Sequence, residues 1–232
     1  CRFFPAITRA TLATVLTATF STMLKPTAQF RASGPARAAP RFEKPVFIVA
    51  APRSGSTLLF ETMAANEALW TLGGEGHLHV ERIEALKMRA RDFSSNRLTA
   101  EDAAGGVAQE LLGNYLVSLR NAQGQVFTGM EDAPKSVRFL EKTPKNALRI
   151  PFFKAIFPDA KFIFLHREPR ANMSAIIEAW RSGRFVTYRD LPGWNGPPWS
   201  LLLIPGWREL AGRYLGEIAM RQWRDTNATI LD

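Results

Sequence analysis

The stretch that most constrains this chain is Lys44 to Phe60, KPVFIVAAPRSGSTLLF. Val46 to Ala50 is a short apolar run of the kind a fully buried strand carries. A Pro, an Arg, small residues around Gly55 and two hydroxyls follow, and Leu58 to Met63 then reads as the start of a helix. A strand, a tight loop of small residues and a helix N-terminus together make an anion site, because inward N–H groups and the helix dipole both favour negative charge. Arg53 adds a formal charge and a planar donor fork suited to phosphate oxygens. The nucleoside-triphosphate pattern G-x-x-x-x-G-K-[ST] is not met, since its first Gly and its Lys are both missing. On this stretch alone, a plain strand-turn-helix with a surface Arg stays open beside the anion site.

The same logic recurs downstream. Lys161 to His166 (KFIFLH) reads as a strand that His166 ends, Arg167-Glu168-Pro169-Arg170 as a loop, and Ala171 to Arg181 as a helix whose start faces an anion. Val137 to Glu141 reads as a further strand, followed at once by Lys142-Thr143-Pro144-Lys145-Asn146. Thr143 has the chemistry of an N-cap with Pro144 in the first helical position. Pro151 should kink or break the helix expected over 144–157. Three glycines around Glu75, in GGEGH (73–77), mark irregular backbone before a helix expected over Leu78 to Met88. Thr99 to Asp102 outlines a capping box, and Val107, Leu111, Tyr115 and Leu119 form an apolar stripe read as core packing. Residues 183–206 are rich in Gly, Pro and Trp, and so long a connection reads as a lid or acceptor-binding loop. A last helix is expected from Trp207 to the end.

A chain of 232 residues suits one α/β domain with a sizeable core. The net charge of +9 favours anionic partners. Residues 1–45 hold seven Lys/Arg and one acidic residue, so the remainder is only mildly basic and a broad nucleic-acid face is not expected. The single cysteine, Cys1, excludes an internal disulfide framework and the metal patterns built on Cys. Between Thr11 and Leu24 the apolar residues fall at helical spacing. That segment reads as a helix packed on protein, a membrane-surface helix or a targeting segment. No stretch reaches the ~18 apolar residues of a spanning helix. Residues 25–45 read as a Pro/Ala/Arg-rich linker. The expected division is therefore 1–45 as helix and linker and 46–232 as the domain, with a cytoplasmic location.

With both strand-loop-helix units in view, the chain resembles sulfotransferases that use 3′-phosphoadenosine-5′-phosphosulfate (PAPS). APRSGSTLL (51–59) resembles their 5′-phosphosulfate loop, FLHREPRANMSAIIEAW (164–180) their 3′-phosphate site, and EKTPKN (141–146) with GGEGH (73–77) their bacterial branch, which includes domains of polyketide synthases. The resemblance covers roughly residues 44 to 232. It implies a P-loop-like three-layer α/β sandwich, a short parallel sheet flanked by helices. It implies that Arg53, Ser54, Gly55, Ser56 and Thr57 hold the phosphosulfate, that Arg167 and Ser174 hold the 3′-phosphate, and that Lys142 neutralises charge on the leaving group. Glu75 is the first candidate for the base that takes the acceptor's proton; His77 and then His79 are the others, with His77 also able to orient Glu75. Arg170 is either a further 3′-phosphate ligand or exposed. The donor would be PAPS, the product 3′-phosphoadenosine 5′-phosphate (PAP), and no metal is implied. The family closes a late Gly- and basic-rich segment over the 3′-phosphate, whereas this sequence stops at Asp232 within a helical pattern, so either it is a fragment or that contribution is missing.

Two other function classes compete. One is a P-loop kinase, opposed by the missing Lys and by the Arg167/Ser174 pair. The other is a carrier- or membrane-docking module, whose binding would survive loss of both Arg53 and Arg167. The apolar Trp194, Trp199, Leu201 to Ile204 and Trp207 point to a small or acyl-like hydroxylated acceptor, for example a β-hydroxyacyl chain on a carrier protein.

Overall fold

The computed structural model describes residues 39–232, so the helix expected between Thr11 and Leu24 lies outside the described residues. Strand β2 (Val46–Val49) is buried at every position and runs through the middle of a parallel sheet. Its neighbours are β4 (Ser136–Lys142) and β5 (Lys161–Phe164), while β1 (Arg41–Phe42) and β3 (Leu69–Trp70) both pair with β4. A parallel sheet covered on both faces needs uninterrupted apolar strands, and VFIV supplies one. The linker expected over 25–45 thus gives way to sheet at Arg41, and Phe42 packs edge-on against Phe139 with ring centroids 5.5 Å apart.

Alternation along β2 divides the core. Phe47 points to one face, where it stacks on Phe153 at 4.6 Å and Phe162 at 5.5 Å. Helices α3 (Val107–Ser118) and α4 (Ile150–Ile156) cover that face through Leu111, Tyr115, Phe152 and Phe153. Val46 and Ile48 point to the other, where α1 (Ser56–Ala64) covers them with Phe60. The result is an α/β three-layer arrangement, a parallel sheet flanked by helices.

A second core lies beside this one. It joins Ile176 and Trp180 of α5 (Pro169–Ser182) to Ile218 and Ala219 of α6 (Leu215–Leu231). Trp199, Leu202, Leu203, Ile204 and Trp207 fill it, each between 0 and 1% exposed. Gln222 ties it together, accepting from Trp180 Nε1 and donating to the carbonyls of Ser200 and Leu202. The segment expected to be a lid is therefore a short hairpin of β6 (Val186–Tyr188) and β7 (Trp199–Ser200) plus buried core. Most of its hydrophobic residues pack against α5 and α6, while Phe185, Val186, Leu201 and Leu202 line an open cleft.

Other differences are local. The helix expected over 78–88 shortens to α2 (His77–Glu81) and a single 3₁₀ turn at Glu84–Leu86. The helix expected over 144–157 breaks at Arg149, with a 3₁₀ segment before it and α4 after it, placing Pro151 in the tolerated first turn of α4. The last helix starts at Leu215, after a 3₁₀ turn at Trp207–Leu210. Among the described residues no helix is long and apolar enough to cross a membrane.

Candidate functional site

Register brings three strand ends to one edge. Ile48 lies opposite both Lys142 and Ile163, and Val49 opposite Phe164. The Ala50–Gly55 loop, Lys142 and the turn carrying Arg167 therefore leave the sheet together, at the carboxyl ends of its strands, where α/β folds place ligands.

The loop is a fixed shape. Arg53 (φ 67°) and Gly55 (φ 95°) both take left-handed backbone, which only glycine adopts without steric cost. Asn172 of α5, wholly buried, donates to Pro52 O at 2.8 Å and accepts from Ser54 Oγ at 2.9 Å. The Ser54 hydroxyl thus faces the fold, which leaves only the backbone of Ser54 to meet a ligand. Arg167 Nη1 donates to Arg53 O at 3.0 Å, and the Arg53 guanidinium lies 4.6 Å over the Phe185 ring. Helix α1 begins at Gly55 with neither a side-chain cap nor an acidic residue in its first turn, so its first N–H groups are left for an outside acceptor. Helix α5 differs. Glu168 accepts from Ala171 N at 2.8 Å and Arg170 N at 3.0 Å, and these bonds hold its carboxyl below the usual range. The start of α5, expected to face an anion, is capped by its own carboxylate.

Lys142 joins the loop to the Gly-rich turn. Its side chain is 4% exposed, and Nζ donates to Thr57 Oγ1 at 3.1 Å and Glu75 Oε1 at 2.6 Å. His77 Nδ1 stands 3.7 Å from Glu75 Oε2, beyond a hydrogen bond. Burial, and then the charge of Lys145, push the His77 imidazole below its ordinary pKa, so it is neutral at pH 7. His79 turns away: its ring meets Tyr115 edge-on at 5.8 Å, and its Nδ1 is buried without a hydrogen-bond partner.

The sequence reading missed two buried polar groups. In one, Glu141 accepts from Gly76 N at 3.0 Å, Thr143 Oγ1 at 2.6 Å and Asn146 Nδ2. Thr143, expected to cap the following helix, spends its hydroxyl here and makes no cap bond. In the other, Glu81 Oε1 accepts from Lys145 Nζ at 2.7 Å and Arg149 Nη2 at 3.0 Å. Burial alone would raise the Glu81 carboxyl, but the two cations more than offset it and hold it below the ordinary value. The i, i+4 spacing of His77 and Glu81 was the available signal, since it puts both on one face of α2.

These groups border a cleft of about 810 Å³. Pro52, Arg53, Gly55 to Leu58 and Arg167 form one wall; Glu75, His77, Leu78, Glu81 and Lys145 form the facing one; Phe185 to Thr187, Leu201 and Leu202 also line it. Of the residues singled out from sequence, the cleft brings together Arg53, Gly55, Ser56, Thr57, Glu75, His77 and Arg167, with Lys142 directly behind. Ser174 and Arg170 are exposed on α5 and are not part of the lining.

The sulfotransferase-family profile matches residues 45–195. The chain is 25% identical over 134 residues to protein-tyrosine sulfotransferase A of Caenorhabditis elegans, an alignment covering 57% of this chain and 32% of that protein. Similar solved structures include a sulfotransferase domain from the curacin biosynthetic pathway, with TM-score 0.43, 20% identity, and coverage of 82% of this chain and 62% of that one. Another is sulfotransferase STF9 from Mycobacterium avium, with TM-score 0.39, 18% identity, and coverage of 82% and 55%. The chain spans about a third of the length of the curated relative.

Proposed function

The chain belongs to the sulfotransferase family, and from that premise we propose that it moves a sulfuryl group from PAPS to a hydroxyl of a small or acyl-type acceptor. The observation that carries this reading is Lys142, whose one ammonium touches both Thr57 of the anion loop and Glu75 of the facing wall. A cation between a phosphate cradle and a carboxylate is what an in-line transfer needs, because such reactions are mostly positioning and charge neutralisation.

The residues present fit a doubly anionic donor. Arg53, the open first turn of α1, and the Ser56 and Thr57 hydroxyls would hold the phosphosulfate. Arg167 would meet the 3′-phosphate, with Ser174 beyond it on α5. The acceptor oxygen forms the new O–S bond while the sulfur–oxygen bond to the 5′-phosphate breaks, and PAP leaves. Glu75 takes the acceptor's proton, and Lys142 offsets the charge that develops on the departing phosphate oxygen. Neutral His77 flanks Glu75 as a second base or an orienting group. Leu78, Leu201, Leu202 and Phe185 give the cleft an apolar side on which an acyl chain would lie.

The test is calorimetric binding of PAP, with ADP as comparator, to the wild type and Arg167→Ala. Tight PAP binding, weak ADP binding and a loss in the variant are expected. Equal affinity for ADP, or indifference to Arg167→Ala, would remove the 3′-phosphate assignment.

A further inference from the structure

We propose that Glu141 is a positioning residue for sulfuryl transfer: its buried carboxylate and the Thr143 hydroxyl clasp the Gly76 N–H and so set where Glu75 and His77 stand. The inference rests on the assignment of Glu75 as the base.

The clasp is tightly drawn. The Gly76 N–H points between two acceptors, Glu141 Oε1 at 3.0 Å and Thr143 Oγ1 at 2.9 Å. Thr143 in turn donates to the same Oε1 at 2.6 Å, and Asn146 Nδ2 holds Oε2. Glu141, Thr143 and Asn146 are each 1% exposed. Gly76 packs so closely against them that no side chain fits there: a Cβ would lie 2.8 Å from Glu141 Oε1 and 2.9 Å from Leu72 Cδ1. The residue so fixed sits between the two candidate bases in sequence.

The next residue of β4 works on the same turn from the other side. Successive strand residues point to opposite faces, so Glu141 reaches the backbone of the turn while Lys142 reaches the Glu75 carboxylate itself, at 2.6 Å. One holds the turn, the other the side chain, and the strand fixes their separation. An exposed glycine-rich turn would otherwise give Glu75 a wide range of positions, and small displacements from a productive geometry are costly to rate. A buried carboxylate is an expensive way to brace a loop unless its acceptors are used. Here three donors converge on it.

The experiment compares Glu141→Gln, Glu141→Ala and the milder Thr143→Val. Three quantities are read: sulfate release from PAPS to water per folded molecule, PAP affinity, and hydrogen exchange of the Gly76 amide. Glutamine keeps an acceptor for Gly76, and its Nε2 can donate to Asn146 Oδ1, a buried atom that lacks a partner. Glu141→Gln is therefore expected to stay within about threefold of wild-type turnover, whereas Glu141→Ala loses about 100-fold with PAP affinity within about twofold. Thr143→Val should fall between them, and Gly76 exchange should quicken in the order of lost turnover. Unchanged turnover in Glu141→Ala, or a Gly76 amide that stays protected in it, would overturn the proposal. Gly76 exchange needs no substrate. Failure of the wild type to bind PAP would therefore strike the donor assignment, while an unprotected Gly76 in Glu141→Ala would still support the clasp and a protected one would still overturn it.

Discussion

Lys142 Nζ donates to Glu75 Oε1 at 2.6 Å, across a pair in which the lysine side chain is 4% exposed and the glutamate 39%. The lysine end is fixed by the sheet, and the carboxylate end opens to the cleft. Glu75 can therefore reach a substrate proton without leaving its cation. Replacing it by Gln keeps the shape and removes the base. Turnover of PAPS should fall by about 100- to 10,000-fold, with PAP binding retained. Steady-state kinetics with parallel calorimetry decides it. A fall of less than about threefold would exclude Glu75 as the general base, since even weak base catalysis exceeds that.

The parts of this arrangement that sequence made visible are those with local signals. VFIV, the apolar stretch before Lys142 and KFIF are short runs bounded by turn residues, so the three central strands and the loop after β2 could be read directly. The segment after Gly183 could not be read that way. Its Trp, Leu and Ile residues are as hydrophobic in a lid as in a core, and only the apolar faces of α5 and α6 decide between them. Thr143 shows a local preference overruled: a good N-cap residue gave its hydroxyl to Glu141 and Gly76 instead. Glu81 pairs with Lys145 and Arg149 across 64 and 68 residues, a separation at which no periodicity operates.

The Arg53 guanidinium lies 4.6 Å over the Phe185 ring, which is itself 37% exposed. Phe185 comes from the strand-bearing segment after α5, so the contact couples that segment to the anion loop. It also holds the guanidinium of a residue whose backbone is in the left-handed region. Phe185→Leu keeps an apolar contact and removes the π face. At an exposed site this costs about 0.5–1 kcal/mol, so PAP should bind roughly two- to fivefold more weakly. Calorimetry on the two proteins reads the difference, and equal affinities would show that the ring does not steady Arg53.

Among the described residues Glu81 is the carboxylate that Lys145 and Arg149 share, and their side chains are 11% and 3% exposed. Glu81→Gln leaves two buried cations facing each other. Loss of one partner from a buried pair costs about 3–5 kcal/mol. Urea unfolding at pH 7 should show destabilisation of that order in the single variant. The Glu81→Gln/Lys145→Met double variant should recover part of it, because one stranded charge is gone. A double variant less stable than Glu81→Gln would mean that Lys145 packs usefully without its carboxylate.

The pH dependence of stability isolates Glu141. Burial pushes its carboxyl up from 4.5 to about 7, against the opposing bonds from Thr143 and Gly76. The folded protein therefore binds this proton more tightly than the unfolded chain does. The stabilisation is complete below pH 4.5 and is lost as pH rises through about 7, a change on the order of 3 kcal/mol. His77 and His79, both lowered mainly by burial, act in the other direction: their contribution is present above 6.5 and lost as pH falls. Wild-type stability alone mixes these slopes. Glu141→Gln keeps both histidines and removes the carboxyl, so subtracting its unfolding free energy from that of the wild type cancels the histidine terms. Measured by urea unfolding between pH 5 and 8, that difference should fall steadily toward pH 7 and then level. A flat difference would mean that Glu141 is ionised throughout, with its three donors outweighing the cost of burial.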